Sequence, residues 1–255
     1  MDFIDTHTHN YDEAYAGEED AVIGRAVAAG VTKLIQPDID SKERGRMFDL
    51  AARHPGTLYP MLGLYPGSVG ADWEDEIGKM LQYKDKGIVA IGEIGLDFHL
   101  SREFEKEQVA AFIAQLELAD ELNLPVNIHE RDSLDMFFKV LDQCRHLNIR
   151  GNLHAFSGSL ETFERLCKYG EWYVGIGGIV TFKNATIAET IKKIPLERIL
   201  LETDSPYLAP TPFRGKRNES GYIPIIASKI AEQKGTDLEE IAEKTTSNAR
   251  KLFGI

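Results

Sequence analysis

The sequence predicts an α/β protein of the (β/α)8 barrel class, a single domain over residues 1–255. Three observations carry that expectation. Short runs rich in aliphatic and β-branched residues alternate with amphipathic stretches of helical period. No Pro-, Ser- or Gly-rich linker, repeat or composition break interrupts the chain. The length also suits one barrel, which commonly takes about 250 residues. A doubly wound open sheet built from the same units is the alternative fold.

Taken in chain order, strands are expected at 3–7, 32–36, 58–62, 89–93, 126–129, 151–154, 172–175 and 199–202. Apolar residues at three- and four-residue spacing predict helices between them, over 18–29, 42–53, 73–83, 102–122, 134–145, 160–169 and 185–193. Two more helices, over 223–234 and 238–252, follow the last strand. Every strand is therefore followed by a helix, the repeating unit of a parallel barrel.

Composition narrows the function classes. Hydrophobic residues make up 43% of the chain and charged residues 27%, which excludes disordered, collagen-like and coiled-coil designs. With 29 Lys and Arg against 41 Asp and Glu, the net charge is −12. That balance argues against tight nonspecific binding of duplex DNA, yet leaves room for a nucleic-acid substrate held locally through metal ions. No run approaches the ~18 apolar residues of a membrane span, and MDFIDTHTHN has neither the basic nor the apolar region of a signal peptide. A cytoplasmic protein with no membrane partner is expected. Cys144 and Cys167 have no soft ligand nearby and read as free thiols on helices. Gly175-Ile-Gly-Gly178 lacks the spacing of a dinucleotide fingerprint.

A parallel barrel carries its chemistry at the C-terminal ends of its strands, and polar residues collect there. Four of the seven histidines fall at expected strand ends. His7 and His9 lie two apart, so the alternation of a strand points them the same way, where two imidazoles can grip one ion. Asp5 shares their parity and is expected to face the barrel interior and orient a ligand histidine, a buried structural hydrogen bond being the alternative. The fourth strand is apolar until Glu93, the fifth ends on His129, the sixth on His154, and the eighth runs through Glu202 to Asp204.

Imidazole and carboxylate together form a divalent-metal ligand set. His7, His9, Glu93, His129, His154 and Asp204 are the expected ligands. Six donors would fill one ion, whereas two ions bridged by Glu93 keep positions open for water and substrate. Four imidazoles favour Zn, Mn, Fe or Co over Mg. His54 and His146 read as surface residues, and His99, just past Asp97, is assigned to neither group.

The remaining candidates concern catalysis and substrate. Glu93 and Asp204 are the expected catalytic carboxylates, Asp204 shuttling a proton from the attacking water to the leaving group; a helix N-cap is its bland alternative. Arg131, Arg214 and Lys216 are candidate phosphate clamps. Glu202 is expected to brace an Arg or Lys of the substrate loops, or to serve a structural ion pair. Tyr65, Phe98, Phe156, Phe182, Tyr207 and Phe213 follow strands and could stack unpaired bases or line an apolar pocket.

These residues stand in longer motifs: Ile4-Asp-Thr-His-Thr-His9, Ile91-Gly-Glu-Ile-Gly-Leu-Asp97, Pro125-Val-Asn-Ile-His-Glu-Arg-Asp132, Leu153-His-Ala-Phe-Ser-Gly158, Gly178-Ile-Val-Thr-Phe182 and Leu201-Glu-Thr-Asp-Ser-Pro-Tyr-Leu-Ala-Pro210, followed by Arg214-Gly-Lys-Arg-Asn-Glu219. Through them the whole chain resembles the TatD family of metal-dependent deoxyribonucleases, within the amidohydrolase-like barrels. The resemblance implies a TIM barrel and two divalent cations, Mg or Mn in use. It implies hydrolysis of DNA phosphodiester bonds, often from the 3′ end, with single-stranded or frayed DNA as substrate and RNA as a further one. His7, His9, Glu93, His129, His154 and Asp204 match the family's ligands position by position. Two departures stand out: Gly63-Leu-Tyr65-Pro66 has a phenol where the family usually has histidine, and Asn218-Glu219-Ser220 replaces Asn-Glu-Pro. The alternative activity is metal-dependent hydrolysis of a small amide, lactone or phosphoester.

Overall fold

The protein is described here by a computed structural model covering residues 1–99 and 101–255. Its chain order is β1 (Phe3–Asp5), α1 (Glu19–Ala28), β2 (Val31–Gln36), α2 (Ser41–Arg53), β3 (Leu58–Pro60), α3 (Trp73–Leu81), β4 (Ile91–Asp97), α4 (Glu105–Leu122), β5 (Val126–Arg131), α5 (Leu134–Gln143), β6 (Gly151–Leu153), α6 (Leu160–Leu166), β7 (Trp172–Ile176), α7 (Ile187–Thr190), β8 (Ile199–Leu201), α8 (Ile223–Lys234) and α9 (Leu238–Phe253). Short polar side chains start several helices by accepting from otherwise unpaired amides: Asp40 from Lys42 N, Ser159 from Thr162 N and Asp237 from Glu240 N. Gly235 and Gly254 end α8 and α9 in the left-handed region, at φ +67° and +70°.

All strand pairs are parallel, in two arcs of order β1-β2-β3 and β4-β5-β6-β7-β8. Single bridges join the arcs at both seams, Leu62 with Ile91 and Thr8 with Ser205. Gly92 N donates to Leu62 O and Thr6 N to Leu201 O, each at 2.9 Å, beside those bridges. The arcs therefore meet end to end as a barrel, and the open sheet is set aside.

Around the axis, Ile4, Ile35, Met61, Ala90, Tyr173 and Leu200 form one apolar cluster, closed from below by Leu252 and Phe253 of α9. The larger apolar cluster packs the outward strand faces against the helices. From β5 and β6 two fully buried amides, Asn127 and Asn152, sit side by side in register above the floor.

Several boundaries differ from expectation. β4 and β5 continue past Glu93 and His129, pairing from Ile94 with Ile128 to Asp97 with Arg131, so both residues lie within strands rather than at tips. β1 stops at Asp5, two residues early. The helix expected over 185–193 shrinks to the single turn of α7; Thr186, Ile187, Thr190 and Ile191 are β-branched and weak helix formers. The last turn of the 160–169 helix tightens to 3-10 geometry over Cys167–Tyr169. Cys144 is buried at the end of α5, and both cysteines are free. Among the described residues no helix is long and apolar enough to cross a membrane.

Candidate metal centre

All six expected ligands converge at the C-terminal mouth of the barrel. Along β5 and β6 the period of two suffices: Asn127 and His129 share one face, Asn152 and His154 the other strand's equivalent. Glu93 needs more. Between the pairs Ile91–Val126 and Ile94–Ile128, two residues of β4 oppose one of β5. This bulge turns Glu93 to the axis although Ile91 and Ile94 both face the helices. Asp38 grips both sides of the bulge, its N donating to Gly92 O at 3.0 Å and its O accepting from Glu93 N at 3.1 Å. The Asp38 side chain in turn accepts from Gly63 N at 3.2 Å and from buried Arg44 at 2.7 Å.

The donors divide into two sets that share Glu93. His7 Nε2 and His9 Nε2 stand 3.2 Å apart. Each faces Asp204 Oδ1, at 3.6 and 3.5 Å, and Glu93 Oε2, at 3.4 and 3.9 Å. His129 Nδ1 and His154 Nε2 stand 3.3 Å apart and face the other oxygen, Glu93 Oε1, at 2.8 and 3.0 Å. Asp204, at φ +53°, lies in the left-handed region that Asp tolerates, and its N donates to His7 O at 2.9 Å.

The tautomers follow from the outer contacts. Tyr11 donates its hydroxyl to Pro37 O at 2.6 Å and so accepts from His9 Nδ1 at 3.1 Å. Asn127 donates its amide to Asn152 Oδ1 at 3.1 Å, so its own oxygen accepts from His7 Nδ1 at 2.9 Å. With both protons on Nδ1, the two Nε2 lone pairs confront each other and two carboxylates. Such a set suits a cation. Donors on a four-coordinate ion with bonds of about 2.1 Å lie about 3.4 Å apart, the spacing seen here, and sets His7–His9–Asp204 and His7–Glu93–His154 each bring their donor atoms within 4.8 Å. The residues fit a divalent metal.

Electrostatics agree. Burial pushes Glu93 up, but His154 and His7 beside it and hydrogen bonds from His129 and His154 hold it well below the usual carboxylate range. Burial also pushes Asp204 up, and His9, His7 and His154 more than reverse it. Burial lowers His154, yet Glu93 and Glu202 raise it well above its ordinary value. Burial and then His154 lower His7.

Other expectations need correction. Asp5 does not face the axis or touch an imidazole: it shares the outward face of Phe3 and accepts from Thr203 N, Thr203 Oγ1 and the His7 amide at 3.0, 2.6 and 3.3 Å. The strand ends at Asp5 and the chain bends, so parity does not run on to His7. Glu202 braces no Arg or Lys; it is fully buried, accepts from Ala155 N at 2.5 Å and lies 3.5 Å from His154 Nδ1. Gly175 makes room for it, since a Cβ there would lie 1.8 Å from Glu202 Oε2.

Phe98 and Phe156 are core residues, 8% and 5% exposed, and cannot offer a stacking face. Phe213 stacks on Tyr222, and Arg214 lies over the Phe182 ring at 4.3 Å. Tyr207 is 55% exposed, its ring 6.3 Å from that of His9. Arg131 and Lys216 are exposed, Arg131 on the face of β5 that carries His129. Tyr65 lies edge-on to His129 at 5.1 Å and donates to Asp97 Oδ2 at 3.4 Å; burial, Glu93 and Asp97 raise its phenol. His54 and His99 pair with Asp20 and Asp132 at the surface.

Sequence reasoning missed the groups that hold the imidazoles: Tyr11, Asn127 with Asn152, and Asp97, which accepts from His129 Nε2 at 2.9 Å. A signal existed for the amides, each an isolated polar residue two places before a strand-end histidine.

A model of the family described as TatD related DNase matches residues 4–254. The chain belongs to this family. It is 39% identical over 255 residues to the uncharacterized metal-dependent hydrolase YabD of Bacillus subtilis, covering 99% of each chain. It is 35% identical over 249 residues to the 3′-5′ ssDNA/RNA exonuclease TatD of Pantoea ananatis, covering 94% of this chain and 95% of that one. The crystal structure of the TatD homologue YjjV from Escherichia coli K12 superposes with a TM-score of 0.90 at 31% identity, covering 99% and 98%. The TatD fold and the metal-dependent hydrolase class thus apply to this chain.

Proposed function

We propose that this TatD-family hydrolase is a two-metal nuclease that removes nucleotides from the 3′ ends of single-stranded or frayed DNA, and of RNA. The observation that carries the reading is the division of Glu93, one carboxylate oxygen toward the His7–His9–Asp204 set and the other toward His129–His154. The relative named as an exonuclease supports the substrate class.

His7, His9, Asp204 and Glu93 would hold one divalent cation, and His129, His154 and Glu93 the other. Bound there, such ions supply Lewis acidity toward a phosphoryl oxygen and lower the pKa of water. Asp204, kept ionised by the neighbouring imidazoles, accepts the proton of the attacking water and returns it to the leaving 3′ oxygen. Tyr65, its phenol neutral and half-buried beside His129, turns its one hydroxyl proton from Asp97 to a nonbridging phosphate oxygen. Arg131 and Arg214 at the rim attract the phosphate backbone, and the exposed Tyr207 ring offers a terminal base a stacking face. Field at the mouth outweighs the net charge of −12, because surface charges are screened within about 8 Å in physiological salt.

The test is digestion of 5′-labelled oligonucleotides, single-stranded, frayed and blunt, across Mg, Mn, Zn and Co. A ladder shortening from the 3′ end, abolished by chelator, is expected. Intact oligonucleotides beside turnover of an ester or amide would overturn the nuclease reading in favour of small-molecule hydrolysis.

A further inference from the structure

The two cation positions share Glu93 but are surrounded unequally. In the inner layer, the His7–His9 half has two carboxylates, Asp204 and Glu93, whereas the His129–His154 half has only the shared one. One imidazole further out the order reverses. The outer nitrogens of His7 and His9 meet neutral groups, Asn127 Oδ1 at 2.9 Å and the Tyr11 hydroxyl at 3.1 Å. Those of His129 and His154 meet carboxylates, Asp97 Oδ2 at 2.9 Å and Glu202 Oε1 at 3.5 Å. The negative charge that the second half lacks among its donors is present directly behind its two rings.

Both outer carboxylates are seated as if for that purpose. Asp97 is 1% exposed; its backbone is pinned on both sides by the Gln108 amide and its other oxygen accepts from His99 N at 2.9 Å. Glu202 is fully buried and occupies space that only a glycine at position 175 leaves. Charge at such positions acts through little solvent. A carboxylate behind an imidazole also fixes the ring and makes it a better donor.

We infer that Asp97 and Glu202 are positioning residues dedicated to the His129–His154 half of the centre, setting its affinity for a divalent cation independently of the His7–His9 half. This rests on the two-cation reading proposed above. Neither residue touches substrate in this role.

The experiment is calorimetric titration of the metal-stripped full chain with Mn²⁺. The unmodified protein should take up two ions. Asp97→Asn and Glu202→Gln, which keep size and hydrogen-bonding capacity, should each weaken one ion by about 10–100-fold and leave the other within about threefold. Combining either with His9→Ala should leave no tightly held ion. Combining either with His129→Ala should leave the surviving ion as in His129→Ala alone. Equal weakening of both ions, no weakening, or weakening that adds to His129→Ala but not to His9→Ala would overturn the inference while the two-cation reading stands. One ion per unmodified chain would overturn both. Thermal melts of the metal-free variants identify any that fails to fold, and because Asp97 ends β4 whereas Glu202 follows β8 the other then carries the test.

Discussion

The floor and the mouth of this barrel share the β1, β4 and β8 segments of the chain and differ in nearly every physical respect. At the floor, Ile4, Ile35, Met61, Ala90, Tyr173 and Leu200 exclude water and are sealed by Phe253. At the mouth, about two to four residues further along, roughly 7–13 Å at strand rise, the axis is lined by His7, Glu93, His129, His154 and Asp204. Burying those groups opposes folding unless each is paired. Stability and chemistry are thus separated along single strands: one end stabilises the ring, and the other spends that stability on holding like-natured donors face to face.

The sharpest way to test this separation is Glu93→Gln, which removes the one carboxylate common to both donor sets. Turnover should fall on the order of 10³-fold or more, with uptake of both ions lost in a titration. Retained uptake of both ions would remove Glu93 from that shared role. Asp204→Asn should cost more than about 100-fold in turnover and keep the fold; near-unmodified rates in a clean preparation would remove it from the mechanism. Leu200→Ala at the floor should do the opposite, losing about 2–5 kcal/mol of stability with turnover per folded molecule unchanged. Denaturant melts paired with rate measurements read both quantities.

A pH dependence tests the mouth more finely. Burial pushes the Asp5 carboxyl up to about 7, against the opposing hydrogen bonds from Thr203, Ser220 and the His7 amide. The folded-state value lies above the unfolded one, so this group favours the fold most fully below about pH 4, and that contribution is lost as pH rises through 7. Asp5→Asn should flatten the stability profile between those limits, measured by denaturant midpoints; an unchanged slope would assign the dependence elsewhere. The smallest effect is expected from Tyr65→Phe, a loss of roughly 10–100-fold in turnover with metal uptake retained, consistent with one hydrogen bond to a charged acceptor of about 1.5–3 kcal/mol.

Much of this was legible before the fold. Alternating apolar runs and helical periods gave the barrel, and the residue types at strand ends gave all six donors that converge. The expectation that His7 and His9 point the same way holds, their Nε2 atoms lying 3.2 Å apart. Parity fails where strands are irregular: Glu93 reaches the axis through a bulge, and Asp5 turns outward because β1 ends there. Helical period overestimated α7 for a related reason, since pattern does not register how poorly a β-branched run holds a helix alone.

What the sequence by itself determined is local: period, strand and helix order, and the placing of imidazoles and carboxylates where strands end, all consequences of backbone geometry over a few residues. What only the tertiary structure decided is pairing across the ring. His7 meets Asn127 across 120 positions of sequence and Asp5 meets Thr203 across 198. Closure of the barrel sets which outer group stands behind each imidazole, and hence where each lone pair points.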